Sequence, residues 1–390
     1  MNDDTSTYVY ELSAVSEAIA ALRDQLPDGS ALLYSMKANP HPAVVEHAAR
    51  SGTGLEVSSE GELAIAVQAR RRSGRAAEVV CTGPGKTAAY LRAAAEAAAV
   101  VSIETPTELR RMRELGITGQ DILVRINASA ASQRAGLQMT GTASQFGVDE
   151  EDADAVVRQV IEAGHRFRGV HLYMGSNIES EDDLAGQFEI STRIAERYAG
   201  DAAGEFIADL GGGFGHPFAV PGARPHWPGL RARLEALTAR LRDRGARVTF
   251  ESGRYLTGGC GVLKTVVLDV KRSKGQRFVV LSSGVNHLGG LSGLRRLPQA
   301  RIGTDDTATG FEPERIVGPL CTPVDVLNKQ SATELAIGDT VTIPNVGAYG
   351  LSASLTNFLG HPYPAEEIRL DGRLVTTTCA QVVHREVVPA

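Results

Sequence analysis

At 390 residues with a net charge of -6 and both signs interspersed, the chain is longer than one ordinary domain and carries no basic patch, so two domains are expected and neither nucleic-acid nor membrane binding is. Its four cysteines, Cys81, Cys260, Cys321 and Cys379, lie far apart without a C-x-x-C pair, which suits a reducing cytoplasm better than a disulfide framework. Nine histidines fall into no ligand spacing, so no metal is expected; no apolar run reaches the ~18 residues of a membrane span, and the acidic N-terminus lacks a signal-peptide core.

After a frayed start, Tyr8 to Leu12 reads as an edge strand and Ser13 to Leu26 as a helix capped by Ser13. A rhythm then sets in. Strand-like runs at Ala31–Met36, Gly54–Ser58, Glu78–Thr82, Ala99–Ile103, Asp121–Asn127, Gly169–Met174, Glu205–Leu210 and Arg247–Glu251 alternate mostly with Ala- and Leu-rich helical segments. Such a chain builds an α/β fold, a (β/α)8 barrel over residues 12–260, with an open doubly wound sheet as the alternative. Past Gly258-Gly259 the helical rhythm stops. Val262–Val270, Phe278–Ser282 and Thr340–Ile343 read as strands and Ser273-Lys-Gly275 as a hairpin turn, which gives a β-rich domain over 261–390 whose sheet residues 1–11 are placed to join. Two loop-like stretches, Ser129 to Ser144 and His216 to Pro228, are candidates for loops over a site, and Cys81, Cys260 and Cys379 read as packing residues.

Barrels gather their chemistry at the carboxyl ends of the strands. Strand one ends in Lys37, checked by Asn39-Pro40; strand two carries Glu56, strand five Arg125, strand six runs into Tyr173-Met-Gly-Ser176, strand seven into Gly211-Gly212-Gly213, and strand eight into Glu251-Ser-Gly-Arg254. An amine for a Schiff base, backbone amides for a phosphate and a carboxylate for a ring nitrogen are what pyridoxal 5'-phosphate requires. Two nucleotide readings fail on spacing. A dinucleotide fingerprint begun at Gly211 would need glycine where His216 stands, and Thr82-Gly-Pro-Gly-Lys-Thr87 lacks the first glycine of a P-loop at Val80.

Five segments in order carry a family resemblance: Tyr34-Ser-Met-Lys-Ala-Asn39, Gly211-Gly-Gly-Phe214, Glu251-Ser-Gly-Arg254, Gly318-Pro-Leu-Cys-Thr-Pro-Val-Asp325 and Gly347-Ala-Tyr349. The chain resembles the fold-type III pyridoxal-phosphate decarboxylases, the group of diaminopimelate, ornithine and arginine decarboxylases, over nearly its whole length. The resemblance implies that Lys37 carries the cofactor, that Glu251 bonds its ring nitrogen, that Ser176, Gly213, Arg254 and Tyr349 hold its phosphate, and that Arg125 lies near its phenolic oxygen. It also implies a homodimer in which Cys321 of one subunit completes the other's site. Gly211 and Gly212 have a turn-forming alternative, and Asp325 a structural one. A carboxylate at the ring nitrogen strengthens the electron sink and favours decarboxylation over the racemases of the same fold, while an intact Lys37, Glu251 and Cys321 argue against a non-catalytic mimic.

The chain departs from that pattern where the substrate's far end would lie. Tyr173 stands in place of the family's stacking histidine, with His171 two residues earlier; Thr322 replaces the acidic residue after the cysteine; and Leu288-Gly-Gly-Leu-Ser-Gly-Leu-Arg-Arg296 replaces the R-P-x-x-Y segment. Tyrosine can still stack on a ring. Without an acid at 322 a distal ammonium has no partner, whereas Arg295 and Arg296 suit a carboxylate or phosphate, with solvated loop charges as the alternative. Similar Cys-Thr-Pro segments resemble those of decarboxylases in siderophore and antibiotic pathways, which act on amino acids conjugated to citrate or a carrier protein. A substrate of that kind, and not free ornithine or diaminopimelate, is expected; a diaminopimelate-type enzyme with an altered distal pocket is the alternative.

Overall fold

The structure is a computed structural model that describes residues 5–129, 137–138, 143–202, 204–289, 300, 314–331, 334–384 and 386. The chain divides into two compact units, residues 15–216 with 224–256, and residues 1–14 with 217–223 and 257–390.

The first unit is a closed barrel of eight parallel strands: Ala31–Ser35, Gly54–Val57, Val79–Cys81, Val100–Ile103, Asp121–Asn127, Arg166–His171, Ile207–Asp209 and Arg247–Ser252. Each pairs with the next in chain order, and the eighth closes on the first through Thr249 opposite Ala31 and Ser252 opposite Tyr34. The strands are buried on both faces, so they read as continuous apolar runs, and Leu33, Val80, Val100, Leu123 and Ile207 fill part of the interior. The open-sheet alternative is thereby excluded. Helices start where the sequence offers caps: Ser59 accepts from Glu62 N and Thr105 from Glu108 N, and Pro42 and Pro106 occupy first turns.

Two expectations shift. The sixth strand runs Arg166–His171, three residues earlier than its apolar run suggested. Its glycine is internal: Gly169 has φ +146°, and a Cβ there would stand 1.9 Å from the Ile207 carbonyl oxygen, so the residue that looked like a strand start marks a close approach of backbones. The first helix spans Leu12–Arg23, with Ser13 inside it donating its hydroxyl to Glu11 Oε1 at 2.8 Å, so Ser13 is not the cap.

The second unit is one sheet in the order 326–331, 314–317, 276–281, 261–273, 7–11, 365–370 and 373–379, with 340–343 pairing on 261–273. The N-terminal strand Thr7–Glu11 is interior, antiparallel to 261–264 and parallel to 365–369, which buries Tyr8 and Tyr10 and corrects the edge-strand expectation. The hairpin turn is Lys274-Gly275, both at positive φ, as a two-residue turn between twisted strands demands. Cys81 and Cys260 are buried, but Cys379 is exposed, because its strand Arg373–Cys379 is exposed throughout.

Candidate active site

Lys37 sits in a single turn, Met36–Ala38, that begins where the first barrel strand stops. Met36 and Ala38 anchor the turn in the interior, and the Tyr34 hydroxyl donates to the Asn39 carbonyl at 2.7 Å. Gly253, after the eighth strand, fits against it only as glycine, since a Cβ would lie 2.8 Å from Ala38 Cβ and 2.9 Å from the Ser35 carbonyl oxygen. The lysine side chain is 39% exposed, with Nζ 3.4 Å from Glu56 Oε2 and 5.4 Å from the Tyr173 ring centre. Glu56 is buried; its Oε1 accepts from the Ser58 hydroxyl at 3.1 Å and from the Thr82 hydroxyl. Burial pushes that carboxyl up, but the Lys37 ammonium and the hydroxyls of Thr82, Ser35 and Ser58 pull it further the other way, so it remains below the ordinary glutamate value.

Farther round the barrel, Arg125 points Nη1 at Glu104 Oε1, 3.1 Å away, and lies 4.9 Å from the Phe146 ring. Glu104 also accepts from Gly147 N at 2.9 Å, which ties the chain after the fifth strand to the end of the fourth. Glu251 on the eighth strand is 1% exposed, and its pKa is driven well above the ordinary value by burial, with Asp209 and Glu56 adding to the rise against Lys37 and Arg125. Asp209, at the end of the seventh strand, is pushed up to about 7, again by burial first.

The triple glycine lies where side chains cannot. A Cβ on Gly211 would stand 2.2 Å from the Leu172 carbonyl and 3.2 Å from the Tyr173 ring, one on Gly212 2.1 Å from the Glu251 carbonyl, and one on Gly213 2.8 Å from the Gly175 carbonyl. Gln187 Nε2 donates to the Gly212 carbonyl at 2.5 Å, and Gly175-Ser176 pairs with Leu137-Gln138 as a short antiparallel ladder. The loop is therefore buried backbone packed closely on the backbone around it, with Tyr173 against Gly211 on one side and Ser176 close in sequence to the Gly213 contact.

The structure thus gathers Lys37, Glu56, Arg125, Tyr173, Ser176, Gly211, Gly212, Gly213 and Glu251 within the barrel unit, where Arg254 begins a short helix after the eighth strand. Cys321, Thr322, Asp325 and Tyr349 belong to the second unit. There Cys321 is exposed, Tyr349 has φ +57°, and Asp325 is buried with its oxygens accepting from Val285 N at 2.7 Å and Leu320 N at 2.8 Å. Gly284 and Gly318 are glycines because any Cβ would collide with that carboxylate at 2.2–2.3 Å, so Asp325 clasps the two segments that present Cys321. Arg295 and Arg296 lie outside the described residues.

Sequence reasoning gave no role to Thr82, Ser102, Glu104, His171, Asp209 and Gln187. Thr82 and Glu104 had a signal: they directly follow the third and fourth strands, the two whose carboxyl ends went unread. The Thr82-Gly-Pro-Gly-Lys-Thr87 segment is structural, for Lys86 is buried and donates to the Gly83 and Ser102 carbonyls at 2.8 and 2.6 Å, with Glu108 3.4 Å away.

These residues fit pyridoxal phosphate. An accessible amine stands beside a fixed carboxylate and an aromatic face; three successive glycines bring backbone without side chains to the end of the seventh strand; and a buried carboxyl, Glu251, has an oxygen, Oε1, with no hydrogen-bond partner among the described residues. The comparisons agree. Residues 12–258 match the pyridoxal-binding domain of the pyridoxal-dependent decarboxylases. The chain is 33% identical to the L-glutamyl-(BtrI acyl-carrier protein) decarboxylase of Niallia circulans, over 95% of this chain and 90% of that one. It is 27% identical to the 2-((L-alanin-3-ylcarbamoyl)methyl)-2-hydroxybutanedioate decarboxylase of Staphylococcus aureus, over 92% of each. Its fold matches the diaminopimelate decarboxylase of Helicobacter pylori, crystallised with L-lysine, at a TM-score of 0.80, with 24% identity, 95% of this chain and 93% of that one. The chain belongs to the pyridoxal-dependent decarboxylases, and its reaction is the loss of an amino acid's carboxylate with pyridoxal 5'-phosphate as cofactor.

Proposed function

We propose that the substrate is an amino acid whose distal end is conjugated, to a carrier protein or to a polycarboxylate, and not free ornithine or diaminopimelate. The observation that carries this is the substrate named for the two relatives above, a carrier-bound glutamyl group in one and an alanyl unit joined through an amide to a hydroxybutanedioate in the other. Thr322 supports it, since this neutral side chain offers no charge to a distal ammonium.

In this reading Lys37 Nζ binds the cofactor, Glu56 orients that amine, and Tyr173 covers the ring. Gly211, Gly212, Gly213, Ser176, Arg254 and Tyr349 take the phosphate, the glycines through their backbone N–H groups. Arg125, held by Glu104, lies by the phenolic oxygen. Glu251 meets the ring nitrogen, and since burial raises the proton affinity of its carboxyl it has a proton to share in that contact. The bound cofactor supplies an electron sink for the charge left when carbon dioxide departs. Cys321, exposed on a loop braced by Asp325, delivers a proton to the α-carbon from the second subunit of a homodimer with shared sites. Thr322 and, beyond the described residues, Arg295 and Arg296 read the distal group. The reading also places the domain division near residue 260 and the protein in the cytoplasm; among the described residues, no helix is long and apolar enough to cross a membrane.

The test is carbon dioxide release from a panel of ornithine, lysine, diaminopimelate, glutamate, and citryl and carrier-protein conjugates of amino acids. Turnover confined to conjugates is expected; efficient turnover of ornithine or diaminopimelate overturns the substrate assignment.

A further inference from the structure

Glu251 has a neighbour that the roles above leave unused. His171, the last residue of the sixth strand, is 2% exposed. Its Nδ1 lies 2.9 Å from Ser102 Oγ on the fourth strand, which fixes the plane of the ring, and its Nε2 lies 3.4 Å from Glu251 Oε1 on the eighth. Among the described residues, neither that nitrogen nor that oxygen has a hydrogen-bond partner, and both are buried from water. Buried polar atoms left unpaired are costly, and catalytic hydrogen bonds often stand long until the site is filled. Asp209 completes the group, with a carboxylate oxygen within 4.8 Å of the other two donor atoms; its Oδ1 accepts from Gly211 N at 3.1 Å, while its Oδ2 is likewise buried with no hydrogen-bond partner among the described residues.

We propose that His171 is a positioning residue for Glu251: the Ser102 hydroxyl donates to Nδ1, the one imidazole proton therefore sits on Nε2, and Nε2–H donates to Glu251 Oε1. This rests on the reading in which Glu251 meets the ring nitrogen, because a hydrogen bond to one oxygen leaves the other for that contact. The ring stays neutral and so carries a single proton. Burial drives its pKa well below the ordinary histidine value, and Arg125, Lys37 and Lys86 push in the same direction. On the other side, the neighbouring carboxylates of Asp209 and Glu56 disfavour charge on Glu251, and a donor at Oε1 offsets that. The rival arrangement reverses every bond. Glu251 would donate its own proton to Nε2 and Nδ1–H would donate to Ser102, which spends on the histidine the proton that the ring nitrogen needs. Serine hydroxyls serve either arrangement, so the tautomer decides.

The tautomer is read directly in apoprotein labelled with nitrogen-15 histidine, with His171 assigned by its loss in His171→Gln. Protonated Nε2 and bare Nδ1 are expected; a proton on Nδ1 overturns the proposal. Pyridoxal phosphate binding to the apoprotein supplies the second readout. Glutamine keeps an N–H donor near the place of Nε2 and leucine keeps only bulk, so His171→Leu should bind about tenfold more weakly than wild type and His171→Gln within about threefold. Equal melting temperatures for the two variants exclude a folding defect as the cause. Wild-type affinity in His171→Leu, or affinity in His171→Gln as weak as in His171→Leu, overturns the positioning role. Glu251→Gln is measured alongside. If it leaves cofactor binding unchanged while Nε2 carries the proton, the histidine–glutamate pair stands and it is the cofactor role of Glu251 that fails.

Discussion

Lys37 Nζ faces Glu56 Oε2 at 3.4 Å across the ends of two adjacent parallel strands, a cation 39% exposed against a carboxylate that is buried. Glu56 has a depressed pKa in the folded chain, so its stabilisation is present above the unfolded value and is lost as pH falls through the folded one. Glu56→Gln should therefore lower stability at pH 7 by about 1 kcal/mol, the half-exposed lysine limiting the gain, and by nothing at an acidic pH below the folded-state pKa, where the wild-type carboxyl is protonated too. Urea unfolding at the two pH values measures it, and an equal deficit at both would mean that charge has no part in the pairing.

The shared site of a homodimer is tested by complementation. Lys37→Ala should fold, since the buried flanks of its turn remain, but should lack the yellow band of a lysine-bound cofactor at roughly 400–430 nm. Cys321→Ala, an exposed position, should fold and bind cofactor yet turn over poorly. Mixed under conditions of subunit exchange, the two should recover about a quarter of wild-type activity, because half of the dimers are mixed and one of two sites in each is intact. Recovery of nothing, with exchange shown by a tag, would place Cys321 in the same subunit's site or outside any site.

The barrel was legible because parallel strands buried on both faces read as short apolar runs, and most helices between them start at a side-chain cap or a proline, as at Pro42, Ser59, Thr87, Thr105 and Ser180. The site residues that ended those runs were legible for the same reason. His171 and Asp209 were not, since a buried polar residue inside an apolar run looks like any other core position until its partners are known. The strands at 314–317, 326–331, 365–370 and 373–379 were missed because they are half or wholly exposed and rich in Glu, Arg, Lys and Thr, so they lack the alternation that betrays a strand. The N-terminal strand looked like an edge because its two partners arrive more than 250 residues later.

Two glycines offer a paired test of the cradle. A Cβ at Gly212 would lie 2.1 Å from a backbone oxygen that cannot move without shifting the eighth strand, so Gly212→Ala should cost about 1–3 kcal/mol and weaken cofactor binding. Gly186, inside the helix Glu181–Tyr198, has nothing within 4 Å of that point, and Gly186→Ala should raise stability by about 0.5–1 kcal/mol. Thermal unfolding of both variants decides, and a neutral Gly212→Ala would show that the loop has room it is not credited with.

Thr322 carries the last expectation. Its loop is held from both sides: Thr322 N donates to the Leu320 carbonyl at 2.7 Å, and Asp325 takes Leu320 N and Val285 N, so a change of side chain at 322 should leave the backbone in place. The side chain is partly exposed, and its Oγ1 accepts a long contact of 3.5 Å from Val324 N. A carboxylate introduced there meets little desolvation in the empty site and gives a distal ammonium the partner it lacks. Thr322→Asp should therefore raise kcat/KM for ornithine and diaminopimelate by about tenfold, the worth of one charge-assisted hydrogen bond, and lower it for acidic or citryl-linked substrates by a similar factor through repulsion. The two changes must move in opposite directions. A loss of activity on every substrate would instead assign Thr322 to the reaction itself, and no change on any would remove it from the substrate's path.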